Sequence, residues 1–127
     1  MNEISSDNTI KVVFDIHRYV IRIHRTTIKA LGNPKFILFL VNPTDKSFAI
    51  IPTNTDDKKG HRLNYDTMKK GHSCELYSRP LIKSIYGLFP EWNTGEKYII
   101  DGKSVRAKNI AYFDMNTAKP LATRGDF

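Results

Sequence analysis

Apolar and polar positions alternate from Ile10 to Ile23, where Val12, Phe14 and Ile16 and then Ile21 and Ile23 recur every second residue. That is the period at which side chains return to one face of an extended chain, so this stretch predicts one or two strands. Arg22 and His24 interleave with Ile21 and Ile23 and face away from them. Thr26 or Thr27 is suited to cap a short helix running through Leu31, and Gly32, Asn33 and Pro34 supply its stop. The unbroken apolar run Phe36 to Val41 reads as a central strand. A hairpin connection over Asn42 to Lys46 then leads to a strand from Ser47 to Ile51. The predicted order is strand, short helix, strand, strand.

The same order returns further on. Ser73 to Ser78 reads as a strand, and Arg79 to Leu88 as a short helix with Pro80 tolerated in its first turn. After a connection from Phe89 to Gly95, Tyr98 to Ile100 forms a strand, Asp101, Gly102 and Lys103 turn the chain, and Ile110 to Phe113 is the last strong strand. Arg25, Ile28, Lys29 and Leu31 match Arg79, Ile82, Lys83 and Ile85 at a constant offset of 54 residues. Phe36 to Leu38 correspond to Tyr98 to Ile100 after a longer connection. Each unit has an apolar face that it cannot bury alone, whereas two units can close a common core. The expectation is therefore a mainly β fold with short helices (α+β), built of duplicated strand-helix-strand-strand units around a barrel-like core. The units are residues 10–51 and 73–114, joined by a polar linker or loop at 52–72 and flanked by tails at 1–9 and 115–127.

Charge adds a direction. The chain of 127 residues carries 20 Lys and Arg against 13 Asp and Glu, a net charge of +7 that favours nucleic acid, acidic proteins or small anions. From Lys11 to Lys35 six basic residues face the single acid Asp15, so the excess concentrates around the first helix. Lys58, Lys59, His61 and Arg62 form a second basic cluster, and Lys69, Lys70 and His72 a third. No apolar run approaches the length of a bilayer crossing and no secretory pattern opens the chain, which gives a cytoplasmic expectation. The single cysteine, Cys74, reads as a buried structural thiol, and with His72 it makes only half of a metal-ligand pattern. No nucleophile, base and orienting group are set together by a motif, and no phosphate-cradling glycine loop is present. No enzyme activity, metal or cofactor is expected. Phe89, Trp92 and Tyr98 suit either a stacking platform or a second core.

The stretch from Ile21 to Pro52, IRIHRTTIKALGNPKFILFLVNPTDKSFAIIP, resembles the swapped-hairpin domains of the bacterial AbrB and MraZ regulators. The marks are Arg25, the Leu31–Gly32 pair, the run Phe36 to Val41, and Ile51–Pro52; CELYSRPLIKSIYGLF, YIIDG and IAYFDM give a second, looser match. The resemblance implies a DNA-binding transcriptional regulator acting as a homodimer, with basic strand and loop residues against duplex DNA. It nominates Arg18, Arg22, Arg25 and Arg79, and the basic edge of each unit adds His24, Lys29 and Lys83. The alternative is a non-enzymatic interaction protein of a mobile genetic element that holds an acidic protein or a nucleotide-like small anion.

Overall fold

A computed structural model describes residues 9–69 and 71–121. The N-terminal tail lies outside these residues except for Thr9, as do Lys70 of the third basic cluster and the end of the C-terminal tail. The elements are β1 (Thr9–Asp15), β2 (Val20–His24), α1 (Arg25–Ala30), β3 (Phe36–Asn42), β4 (Ser47–Thr53), β5 (His61–Arg62), β6 (Ser73–Tyr77), α2 (Arg79–Leu88), β7 (Lys97–Val105), β8 (Ile110–Asp114) and β9 (Lys119–Pro120). The strands form one antiparallel sheet in the order β5-β3-β4-β8-β7-β1-β2-β6, with β9 added to β7. The two ends of this order meet: the chain leaves β5, Leu63 N–H donates to Lys35 O at 2.9 Å, and Asn64 bridges to Glu75 of β6. The result is a mixed fold dominated by strands that make a nearly closed barrel. The segment 52–72 supplies both β5 and this closure.

Alternation decides which side chains fill the barrel. Register places Ile100, Val12, Ile23 and Cys74 in one row across β7, β1, β2 and β6, and Tyr98, Phe14, Ile21 and Leu76 in the next. All eight are buried. From the other side Phe48, Ile50, Ala111 and Phe113 point inward, and Phe48 stacks on Phe113 with centroids 4.7 Å apart. Each large side chain buried this way contributes about 1.5–3 kcal/mol to the core.

Because β2 and β6 run antiparallel, the helices that follow them leave from opposite ends of the ladder. Ile28 of α1 and Leu31 at its C-cap, and Ile82 and Ile85 of α2, join the core from those two ends. The helix start differs in detail from the expected threonine cap. His24 caps α1, with Nδ1 accepting from Thr26 N–H at 3.1 Å. Thr27 is fully buried and serves elsewhere, since its hydroxyl donates to Lys11 O at 2.9 Å and accepts from Lys11 N–H at 3.1 Å. It stands in for a strand partner where β2 has already turned into helix, which leaves neither Lys11 group orphaned.

The turn expected at Asp101–Lys103 is also absent, since β7 runs straight through it to Val105. The reversal comes at Arg106–Asn109, where Asn109 adopts a left-handed φ of 51°. Among the described residues no helix is long and apolar enough to cross a membrane.

Candidate nucleic-acid interface

By alternation the side chains of the β2–β6 ladder that face away from the barrel are Val20, Arg22 and His24 opposite Tyr77, Glu75 and Ser73, of which Val20 and Ser73 are nonetheless buried. The ladder has a basic cluster at each end and an ion pair between them.

At one end stand His24, Arg25 and Lys29, with His72 and Lys11 close by. The Arg25 backbone N–H donates to His72 O at 2.8 Å and its Nη2 donates to Gly71 O at 3.2 Å, so this guanidinium is tethered but exposed. The His24 and His72 rings stack with centroids 6.5 Å apart. Partial burial lowers the His24 pKa, and the positive charges of Lys11, His72 and Arg25 lower it further. Lys29 lies exposed in the last turn of α1, where a cation complements the helix dipole.

At the other end stand Arg18, Arg79 and Lys83. Arg18 is exposed in the tight β1–β2 connection, which Asp15 Oδ1 holds by accepting the Arg18 N–H at 3.2 Å. Arg79, the first residue of α2, places its guanidinium 5.3 Å from the centre of the Tyr19 ring. Tyr19 meets Tyr77 edge-on at 6.3 Å, and Tyr77 is 65% exposed. Ser78 caps α2 by accepting from Leu81 N–H at 3.3 Å, and Lys83 is exposed on the helix one turn beyond Arg79.

Arg22 sits midway, paired through Nε with Glu75 Oε2 at 3.2 Å. The nominated residues thus fall into two basic groups, and the arginine between them is neutralised by an acid 53 positions away. Sequence reasoning missed Glu75, Tyr19 and Tyr77, and set His72 in a separate basic cluster. Their role depends on cross-strand pairing, which the separate segments do not reveal.

Two other features bear on chemistry. A groove of about 580 Å³ beside the barrel closure is lined by Lys35, Arg62, Leu63, Asn64, Tyr65 and Asp66. Tyr65 borders it with its hydroxyl donated to Pro34 O. Cys74 points into the core, where burial pushes its thiol up to about 11, so it stays protonated and is a poor metal ligand at neutral pH. Among the described residues no three or more His, Cys, Asp or Glu are grouped to hold a metal ion. Phe89, Trp92 and Tyr98 are buried and stacked on one another, which makes them core.

The cap histidine predicts a pH effect. A histidine whose folded pKa lies below its unfolded value stabilises the fold fully above the unfolded value of 6.5, and that stability is lost as pH falls below it. His61, also lowered by burial, acts in the same sense. Thermal stability is expected to fall on acidification from pH 7.5 to pH 5. In His24→Asn, which keeps a cap acceptor but cannot titrate, the fall is shallower; an unchanged slope would remove His24 as a contributor.

Compared with models of known families, with curated protein sequences and with solved structures, the chain shows no match.

Proposed function

We propose that the chain is a DNA-binding regulator that meets the duplex with the outer face of the β2–β6 ladder. The observation that carries the reading is the placement of Arg25 and Arg79. Each is the first residue of a helix, each is exposed, and the antiparallel register of β2 and β6 sets those helix starts at opposite ends of the ladder. Five paired rows at about 3.4 Å put them on the order of 20 Å apart, a reach that spans a groove and its flanking backbones. Arg25, Lys29, Arg79 and Lys83 contact phosphates in this reading, while Tyr77 and the Arg22–Glu75 pair approach base edges. A two-stranded ribbon is one of the shapes the major groove admits.

The pairing also supports the duplicated-unit reading and, with it, the likeness to swapped-hairpin regulators. β2 pairs with its counterpart β6 and β4 with its counterpart β8. β1 joins β2 to β7, as the 61–64 segment joins β6 to β3. Exchanging the halves preserves these pairings, apart from β9, which adds to β7 with no counterpart on β3 among the described residues. A second reading, capture of a small phosphate-bearing anion, draws on the groove where Lys35 and Arg62 stand together.

Titration of labelled duplex DNA over a salt series tests the proposal. Arg25→Ala and Arg79→Ala are each expected to weaken binding about tenfold, as loss of one charge-assisted contact does. Each should also reduce the slope of log K against log salt by about one. Glu75→Gln is expected to strengthen binding, because it removes an acid from the face and releases Arg22. A folded wild type that binds no duplex at low salt sinks the reading, and phosphate binding lost on Arg62→Ala favours the second.

A further inference from the structure

On the side of the barrel away from β2 and β6, the sheet turns a second outward face of opposite character. Outward rows cross β3, β4, β8 and β7: Leu40, Ala49, Tyr112 and Lys103 lie side by side, and in the next row Leu38 pairs with Ile51 and Ile110 with Val105. Leu40, Tyr112 and Val105 are 49%, 45% and 44% exposed, and apart from Tyr77 they are the exposed large apolar residues among those described. Three such side chains converging on one outer sheet face, with Leu38, Ile51 and Ile110 partly exposed among them, mark an interaction surface rather than scattered surface apolar residues.

Charge selects the occupant. Lys103 is the one charged side chain within these two rows; the outward acids Asp101 and Asp114 border them along one edge, and the exposed Lys108 of the β7–β8 connection borders the other. The face is thus close to neutral on a chain of net charge +7. Nucleic acid finds nothing to neutralise there, and an acidic partner meets Asp101 and Asp114. Two copies of a strongly basic chain repel each other over most of their surface and approach at least cost where cations are scarce. A two-fold contact presents the same patch from both sides, so Lys103 of each copy is offered the acid-bordered edge of the other while the apolar rows interdigitate.

We propose that a second copy of this chain docks on the outer face of β3, β4, β8 and β7, forming a homodimer by sheet-on-sheet packing. This is independent of the nucleic-acid reading, because it uses the opposite side of the barrel. Sedimentation equilibrium over about a hundredfold range of concentration is the test, with circular dichroism to verify folding. The wild type is expected to show a monomer–dimer equilibrium. The double variant Leu40→Glu/Tyr112→Glu should raise the dimer Kd by about 100-fold, roughly tenfold for each buried anchor lost. Lys103→Glu, which removes no apolar surface, should weaken the dimer, and Asp101→Lys/Asp114→Lys added to it should restore it. A wild type that is monomeric throughout, or a folded double variant that dimerises as well as the wild type, overturns the proposal.

Discussion

Gly102→Ala is expected to cost about 3 kcal/mol of folding stability, the upper part of the range for forcing atoms into a packed site. A Cβ on Gly102 would lie 2.5 Å from Tyr112 O and 2.5 Å from Phe113 Cδ2. The residue pairs directly with Phe113 across the β7–β8 ladder, and the fully buried Phe113 ring lies over the space that a side chain would take. The ring could be trimmed, but the carbonyl belongs to the ladder itself and cannot retreat without breaking it. Denaturant unfolding of Gly102→Ala in a Phe113→Leu background separates the two. The alanine should remain costly there, and a loss that disappears with the smaller ring would show that the backbone clash is not the cause. Gly87→Ala is the control. Nothing lies within 4 Å of a Cβ at this helical position, and the substitution should stabilise by about 0.5–1 kcal/mol.

Trp92→Ala should cost about 3–5 kcal/mol, the usual range for truncating a large buried aromatic side chain. Its ring is sandwiched between Phe89 at 4.5 Å and Tyr98 at 4.4 Å, with interplanar angles of 10° and 13°, and reaches Phe14 at 6.5 Å. The stack ties the connection after α2 onto β7 and β1, and the Tyr98 hydroxyl secures it by accepting from Asn93 N–H at 2.7 Å. Trp92→Phe keeps most of the stack and should lose far less. The protein has one tryptophan, so wild-type emission reports this packing alone and should be blue-shifted and shielded from aqueous quenchers. A Trp92→Ala protein within about 1 kcal/mol of wild type would place the ring outside the cooperative core.

The local parts of the fold were legible because they depend on local physics. Period-two alternation marked Ile10, Val12, Phe14, Ile21 and Ile23 as one buried face, and Pro80 near the start and Asn33 past the end marked helix boundaries. Two local signals misled. The Asp101–Gly102 pair has the composition of a hairpin turn, yet its glycine answers to Phe113 on another strand. Thr27 has the composition of a cap, yet its hydroxyl serves Lys11, 16 positions away. The candidate site was legible only in parts. Arg25 and Arg79 could be matched through the repeat, whereas their arrangement about Arg22 and Glu75 required the β2–β6 register. Ladder pairings depend on how every strand packs, so no single segment encodes them.

The placement of β2–β6 and β4–β8 on opposite sides of the barrel constrains what an assembly could do. Two copies joined as proposed through the β4–β8 side would hold their β2–β6 faces back to back, pointing in opposite directions. Such a particle is a bridge rather than a pair of calipers. A dimer of that form that also bound DNA as proposed could not lay both faces on adjacent half-sites of one straight duplex, but it could hold two separate segments together, so looping or bundling of distant DNA would be its mechanical output.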